Sequence, residues 1–178
     1  MPNVFLISDT HFGHANICKF LRTDGTKLRH WDDVDEMDKA LINNWNNVVG
    51  VNDKVYHLGD VFINRKHRFI LNHLNGKKVL IKGNHDIFDL ENYTPFFKDI
   101  RAYHKLDKCI LSHIPIHPQQ LGRFKGNIHG HLHEHIVSDS QGKPDPRYMT
   151  VCVEHINYTP IELSVALRHF DQVEINEM

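Results

Sequence analysis

The sequence of 178 residues has little of what marks several large classes of protein. Its three cysteines, Cys18, Cys109 and Cys152, are an odd number without CxxC spacing, so neither a disulfide framework nor a thiolate zinc site is predicted. No apolar run approaches the roughly 20 residues that a transmembrane helix needs. The apolar start, residues 1–8, lacks the basic segment that is typical of a secretory leader. We therefore expect a cytoplasmic protein that does not associate with membranes.

The charge balance also lacks an excess of either sign. Lys and Arg number 21 and Asp and Glu number 22, which gives a formal charge of −1. A dedicated nucleic-acid-binding domain usually carries a clear basic excess, so we expect nucleic acid to be bound only if a partner protein supplies the basic surface. The length predicts a single domain over residues 1–178. The oligomeric state stays open.

The first half of the chain has the pattern of alternating strands and helices. Short apolar runs predict strands at 4–8, 54–58 and 77–82. Apolar residues at spacings of three and four predict a helix over 32–49, and a second helix is predicted over 64–75. Such βαβ units favour a largely parallel sheet, whose ligands lie beyond the carboxyl ends of the strands.

The second half has a different pattern, with strands predicted at 100–106, 108–113, 126–133 and 148–153 and no long helix between them. We expect these strands to be mostly antiparallel. A final helix is predicted over 159–169, because Thr159, Pro160 and Glu162 have the spacing of a capping box.

What the sequence has in abundance is histidine, with 16 residues. Five of them fall in polar clusters at the ends of predicted strands. These clusters are Asp9-Thr10-His11, Gly59-Asp60, Gly83-Asn84-His85-Asp86, Ser112-His113 and Gly130-His131-Leu132-His133. A site built from Asp, Asn and His suits Mn, Fe or Zn, whereas Ca and Mg prefer ligand shells made only of oxygen.

In this order, the five clusters resemble the D-x-H, G-D, G-N-H-[DE], H and G-H-x-H motifs of the calcineurin-like metallophosphoesterase superfamily. The resemblance spans about residues 4–133, and the length is similar to that of small single-domain bacterial or phage members. It implies an α/β fold, a four-layer α/β/β/α sandwich of two mixed sheets flanked by helices.

The resemblance also implies two adjacent divalent metal ions, with Mn favoured and Fe, Zn or Ni as alternatives. The implied ligands are Asp9, His11 and His133 for one ion, Asn84, His113 and His131 for the other, and Asp60 as the bridge. Spacing gives an independent check. In an extended strand His131 and His133 would lie about 6.6 Å apart on one side, so that each could reach a different ion.

Further roles follow from the same resemblance. His85 would either protonate the leaving oxygen of a phosphoester or stabilise its charge, while Asp86 would fix the tautomer of His85 through a hydrogen bond. The two ions would activate water for attack on phosphorus. From position alone we also expect substrate contacts from His14, which follows the first motif, and from His117 and Arg123, which lie between the fourth and fifth motifs.

The sequence therefore predicts a metal-dependent phosphoesterase that hydrolyses a small phosphodiester, such as a nucleotide. The diester is favoured because the region after His113 offers only Arg123 and Lys125 as cations for the extra charge of a monoester. The alternatives are a phosphomonoesterase, acting on nucleotides or proteins, and a nuclease or non-catalytic scaffold within a larger complex. The natural substrate and metal stay open.

Overall fold

The computed structural model describes residues 2–173, which form nine strands and two α-helices. The strands are β1 (Val4–Ile7), β2 (Lys54–His57), β3 (Lys77–Ile81), β4 (Asp99–Arg101), β5 (Tyr103–Leu106), β6 (Cys109–Ser112), β7 (Gly126–His129), β8 (Tyr148–Thr150) and β9 (Ile161–Glu162). The α-helices are α1 (Val34–Val48) and α2 (Leu163–Arg168). Four short 3₁₀ helices span Ala15–Lys19, Arg65–His73, Leu90–Asn92 and Pro118–Leu121.

Two sheets organise the fold. The first has the strand order β4-β3-β2-β1-β9, in which β1 to β4 are parallel and β9 is antiparallel to β1. The second has the order β5-β6-β7-β8, in which only the β5–β6 pair is antiparallel. The predicted α/β class with two mixed sheets is confirmed, and the arrangement is consistent with a sandwich.

Helix α1 forms where the sequence predicts it, for local reasons. Asp33 caps the helix, because its side chain accepts hydrogen bonds from the amides of Asp35 and Glu36 at 2.8 and 3.0 Å. The apolar face of the helix is buried in a core cluster with one face of the first sheet. This cluster includes Met37, Leu41 and Trp45 of α1 together with Ile7 of β1 and Val55 of β2.

The opposite face of the first sheet contributes to a second core cluster. Alternation along β1 turns Leu6 away from Phe5 and Ile7, which belong to the first cluster. Leu6 and Val79 of the first sheet share the second cluster with residues of β6 and β7 in the second sheet. The first sheet therefore has an apolar core on each face, which fixes its strand ends in a rigid frame.

Three predictions for the second half are wrong because tertiary pairing overrides the local pattern. The single strand predicted at 100–106 is divided at Ala102, so that β4 pairs in the first sheet and β5 in the second. The helix predicted from 159 begins only at Leu163, because Ile161 and Glu162 pair with β1. The strands of the second sheet are mainly parallel, because residues 113–125 and 130–147 cross back over the sheet instead of turning tightly between β6, β7 and β8.

Two further predicted elements differ in extent or type. The helix predicted over 64–75 is a 3₁₀ helix over Arg65–His73, with Asn64 as its cap. The strand predicted over 126–133 ends at His129, because the following residues leave the sheet as a loop. Within residues 2–173, no helix has both the length and the apolar character needed to cross a membrane.

Candidate metal centre

The polar clusters of the sequence follow β1, β2 and β3 in the first sheet and β6 and β7 in the second. Parallel pairing brings carboxyl ends to one edge within each sheet, and contacts such as that of Nδ1 of His113 with the carbonyl oxygen of Leu58 join the two edges. Five of the side chains here sit on backbone with positive φ, which non-glycine residues rarely adopt. They are Asp9 (59°), His11 (48°), Asp60 (57°), His131 (74°) and His133 (50°). Strained backbone of this kind clusters at functional sites, where it aims side chains at a common point.

The glycines of these clusters allow the loops to approach each other closely. Gly59 has φ of +96°, and a Cβ there would lie 2.6 Å from the Cα of Gly83 and from Nδ1 of His113. A Cβ on Gly130 would lie 2.0 Å from Oγ of Ser8 and 2.4 Å from Oδ2 of Asp9. A side chain at either position would therefore push the loops of the site apart.

The first possible metal-binding cluster consists of Asp9, His11 and His133, whose ligand atoms lie within 4.8 Å of one another. Oδ1 of Asp9 is 3.8 Å from Nε2 of His11 and 3.9 Å from Nε2 of His133. The two imidazole rings are stacked with their centroids 5.2 Å apart. Three side chains that follow two different strands thus present one oxygen and two nitrogens to a shared space.

The second cluster consists of Asp9, Asp60 and His113, so that Asp9 belongs to both. Oδ2 of Asp60 lies 3.6 Å from Nε2 of His11 and 3.5 Å from Nε2 of His113. Asp60 therefore lies between the histidine of the first cluster and the histidine of the second. This is the position that a bridging carboxylate would need.

The other two predicted ligands lie beside the second cluster. Oδ1 of Asn84 is 2.8 Å from Nε2 of His113. The ring of His131 has its centroid 5.1 Å from that of His113, and its backbone amide donates to Oδ2 of Asp9 at 2.9 Å. All seven predicted ligands are thus brought to one edge, but His131 and His133 reach it from a loop of positive φ rather than from the predicted extended strand.

Unpartnered polar atoms show that the site fits a cation. Within residues 2–173, Oδ1 of Asp9 and both ring nitrogens of His11 are buried without a hydrogen-bond partner. Such orphaned atoms are costly, and a divalent ion would satisfy Oδ1 of Asp9 and Nε2 of His11, the nitrogen that faces Asp9 and Asp60. Burial, with help from the charge of Arg29, holds the pKa of His11 well below its usual value, so this ring stays neutral and able to ligate. The donor set of carboxylate oxygen and imidazole nitrogen suits Mn, Fe or Zn.

Hydrogen bonds outside the clusters fix which ring nitrogen faces inwards. Nδ1 of His113 lies 2.7 Å from the carbonyl oxygen of Leu58, so Nδ1 donates and Nε2 is left for the site. Nδ1 of His133 lies 3.1 Å from Oε1 of Glu154, so here too Nδ1 donates and Nε2 is left for the site. Both rings therefore present Nε2 to the carboxylates.

Arg29 and Glu154, which the sequence analysis did not single out, form a fully buried ion pair beside the first cluster. Both side chains are 0% exposed, and Nε and Nη2 of Arg29 each lie 2.8 Å from Oε1 of Glu154. Arg29 also donates to the carbonyl oxygens of Asp9 and Thr10, at 2.5 and 2.9 Å. Although burial raises the pKa of Glu154, the charges of Arg29 and His133 outweigh it and lower the pKa to about 2. The pair joins the backbone of the first motif to the ring of His133.

His85 and Asp86 differ in exposure and in their contacts. The ring of His85 is exposed and its centroid lies 5.6 Å from that of His11, while its amide donates to Oδ1 of Asp60 at 2.8 Å. The prediction that the ring of His85 donates a hydrogen bond to Asp86 is wrong, because the Asp86 carboxylate is occupied elsewhere. It accepts from three backbone amides, those of Asp60, Val61 and Gly83, at 2.8, 3.0 and 2.8 Å.

The three predicted substrate contacts lie in different surroundings. His14 is close to the site, with its ring centroid 5.6 Å from that of His11. His117 accepts a hydrogen bond from the amide of Gln119 at 3.3 Å and caps the 3₁₀ helix Pro118–Leu121. Arg123 lines a cleft of about 680 Å³ together with Asn84 and His113.

Solved structures give two points of comparison. The protein of unknown function AQ665 from Aquifex aeolicus aligns with a TM-score of 0.68 and 24% identity, over 94% of this chain and 99% of that chain. This likeness shows a shared fold and does not bear on activity. A novel archaeal phosphodiesterase aligns with a TM-score of 0.46 and 17% identity, over 84% of this chain and 82% of that chain, which is too distant to bear on fold or function.

Sequence comparison finds relatives as well, although no protein-family model matches the chain. Gene 66 protein of Mycobacterium phage L5 is 34% identical over 91 residues, 48% of this chain and 41% of that protein. The uncharacterized protein MJ1445 of Methanocaldococcus jannaschii is 37% identical over 180 residues, which cover 98% of this chain and 95% of that protein. Identity at this level over nearly the whole length means that the chain belongs to the same family as MJ1445.

Proposed function

We propose that this protein is a metal-dependent phosphoesterase of the calcineurin-like type that hydrolyses a phosphodiester, a nucleotide or another small ester. The observation that carries the proposal is the position of Asp60. Its Oδ2 lies between Nε2 of His11 and Nε2 of His113, and each of these histidines belongs to a different Asp/His cluster. Two clusters that share Asp9, with Asp60 close to a histidine of each, suit a pair of divalent ions.

The seven side chains at this edge would hold the two ions. The proposed sets are Asp9, His11 and His133 for one ion and Asn84, His113 and His131 for the other, with Asp60 shared. When bound, the ions would supply Lewis acidity for phosphoryl oxygens and would lower the pKa of water towards neutrality. Mn is the favoured ion, and Fe, Zn or Ni fit the same donors.

The charge of these side chains suits an anionic substrate. Only Asp9 and Asp60 are carboxylates, and the other five proposed ligands are uncharged as ligands. Two divalent ions would therefore outweigh the ligand charge, and the site would attract and hold a phosphate ester. Asn84, as an amide, contributes an oxygen without adding negative charge.

His85 is the group of this chain best placed to handle a proton. Its ring is exposed at the mouth of the site, so a bound ester could reach it, while its backbone is held by Asp60. An imidazole there can donate a proton to the leaving oxygen or stabilise its charge. Asp86 supports this role indirectly, because its three amide hydrogen bonds tie the loop of His85 to the loop of Asp60.

The test is a paired assay of a chromogenic diester and a chromogenic monoester. Protein freed of metal is reconstituted with Mn, Zn, Ni or Mg, and the bound ions per chain are counted. We expect diester hydrolysis with Mn and two bound ions. We expect loss of both in Asp60→Ala, and retention of both in Asp32→Ala, whose carboxylate is 88% exposed.

The outcomes separate the alternatives. Faster hydrolysis of the monoester would make the protein a phosphomonoesterase. Binding of two ions with no hydrolysis of either ester would favour a scaffold within a complex and overturn the enzymatic proposal. Failure to bind any ion would overturn the metal centre itself.

A further inference from the structure

A cleft of about 680 Å³ opens beside the second cluster, and two of the proposed ligands, Asn84 and His113, form part of its wall. We call it the side cleft. Its volume lies within the range of about 300–1,000 Å³ that is common for small-molecule sites. The other side chains that matter here are Lys82, Tyr103, Ile114, Ile116, Arg123 and Phe124.

Two large apolar side chains are open to solvent in the side cleft. Tyr103 is 65% exposed and Ile114 is 53% exposed. A single exposed apolar residue needs no explanation, but here two of them face one concave surface with Ile116 and Phe124. An apolar or aromatic group of a ligand would remove this surface from water.

The wall that carries Ile114 and Ile116 is held in place by hydrogen bonds from the second sheet. Ser112 of β6 donates to the carbonyl oxygen of Ile114 at 2.7 Å. Asn127 of β7 accepts from the amide of Ile116 at 2.9 Å, and the hydroxyl of Tyr148 of β8 donates to the carbonyl oxygen of Ile116 at 2.7 Å. A wall that is fixed before binding loses little conformational entropy when a ligand binds.

The charge in the side cleft has one sign. Lys82 and Arg123 line it, and none of the described residues of its lining is Asp or Glu. Two cations beside the proposed metal ions suit a ligand that is anionic at the phosphorus and apolar elsewhere. Planar guanidinium groups also stack on aromatic rings, which suits Arg123 to a flat ligand.

We propose that the side cleft binds an aryl or heteroaryl group carried by the phosphodiester substrate. The inference rests on the proposed function for the identity of the reacting group, but binding in the cleft can be measured separately. The substrate class is then a small aromatic phosphodiester. Lys82 and Arg123 hold its negative charge, while Tyr103 and Ile114 cover its ring.

Binding is tested with two inert probes, phenylphosphonate and methylphosphonate, by calorimetry on the Mn-loaded full chain. We expect the phenyl compound to bind about tenfold more tightly, from the apolar area that the cleft would cover. The double variant Tyr103→Ser/Ile114→Ser should lose most of this advantage. Val51→Ser is the matched control, because Val51 is 71% exposed and lies outside the cleft. Equal affinity of the wild type for both probes, or no binding of either, would overturn the proposal.

The cations are tested by Arg123→Gln, with Lys143→Gln as the control at an exposed turn outside the cleft. We expect Arg123→Gln to weaken phenylphosphonate binding by about fivefold, with the larger effect at low salt. Lys143→Gln should leave binding unchanged. An unchanged affinity in Arg123→Gln would contradict the proposal that Arg123 holds the negative charge of the ligand.

A kinetic arm separates failure of the cleft from failure of the proposed function. The two substrates are bis(4-nitrophenyl) phosphate and methyl 4-nitrophenyl phosphate, which share a leaving group. The kcat/KM of the first is divided by the kcat/KM of the second. We expect this ratio to fall by about tenfold in the double variant relative to the wild type. A ratio that does not change would overturn the cleft while leaving the phosphodiesterase. Selective phenylphosphonate binding without hydrolysis of either diester would support the cleft and overturn the phosphodiesterase.

Discussion

Nδ1 of His133 lies 3.1 Å from Oε1 of Glu154, and the same oxygen accepts hydrogen bonds from the buried guanidinium of Arg29. Burial by itself lowers the pKa of His133, but the hydrogen bond and charge of Glu154, with the charge of Asp9, outweigh it and leave the pKa raised. Glu154 thus holds the imidazole with Nε2 towards Asp9. A carboxylate that orients a ligating histidine in this way also increases its basicity.

Glu154→Gln should therefore weaken metal binding at the first cluster. We expect a loss of roughly 10–100-fold in affinity for one of two Mn ions, measured by competition with a chelator. The variant also leaves Arg29 without its counter-ion, so the unfolding free energy of the metal-free protein is measured in parallel. A variant that is less stable but binds Mn as tightly as the wild type would contradict the positioning role and leave Glu154 as a structural residue.

His85→Ala should slow hydrolysis without changing the number of bound ions. We expect kcat to fall by roughly 10²–10⁴-fold on a diester with a poor, alkoxide leaving group. The loss should be much smaller with 4-nitrophenolate, which leaves without a proton. His73→Ala, at an exposed position of the 3₁₀ helix Arg65–His73, is the control. Equal losses on both substrates would exclude proton donation by His85.

Much of the site was predictable because its signals are local. Asp9, Asp60 and His113 each follow a short strand, and the parallel pairing of β1 with β2 brings Asp9 and Asp60 to one edge of the first sheet. Helix α1 was predictable for the same reason, since Asp33 and its own first turn form the cap. In these cases the residues that determine the structure lie within a few positions of one another.

The remaining features depend on contacts between distant parts of the chain. Arg29 and Glu154 are 125 positions apart and belong to no strand, helix or motif, so no pattern connects them. Asp86 is next to His85 in sequence, but its carboxylate binds amides of the loop after β2. His131 does not continue β7, because Gly130 packs against Ser8 and the chain turns at positive φ. Each of these outcomes is decided by packing that the sequence does not display.

Gly59→Ala tests whether close approach of the loops is required. A Cβ would lie 2.6 Å from the backbone of Gly83 and would sit on a residue with φ of +96°. We expect a loss of roughly 2–4 kcal/mol in unfolding free energy, together with weaker metal binding, since the loops of Asp60 and Asn84 would move apart. Denaturant unfolding and Mn titration measure the two effects.

Gly122→Ala is the matched control for this substitution. A Cβ at Gly122 meets no atom within 4 Å, and the residue has φ of −52°. We expect its unfolding free energy to stay within about 0.5 kcal/mol of the wild type. If Gly59→Ala were as stable as Gly122→Ala and bound Mn equally well, the loops of Asp60 and Asn84 could accommodate a Cβ at position 59. The close approach of these loops would then not require glycine.

Asp38 makes the unfolding free energy fall as the pH rises, whereas most carboxylates make it rise. Its buried side chain accepts from the amide of Gly13, at 3.2 and 3.0 Å, in the loop that follows Asp9 and His11. Burial raises the pKa of Asp38 from 3.8 to about 7, although the hydrogen bond from Gly13 opposes the shift. The folded state therefore holds a proton that the unfolded chain has already lost over this range.

The sign of the effect follows from proton binding. Below pH 4 both states are protonated, and stability is not affected by Asp38. As the pH rises from 4 towards 7, the carboxyl of Asp38 loses its proton in the unfolded state but keeps it in the folded state. The unfolding free energy therefore falls, by at most roughly 4 kcal/mol.

Asp38→Asn tests this effect, because it keeps an acceptor for Gly13 but cannot ionise. Its stability advantage over the wild type should grow between pH 4 and pH 8, measured by urea unfolding. Parallel pH profiles for the wild type and Asp38→Asn would mean that Asp38 is ionised in the folded protein throughout.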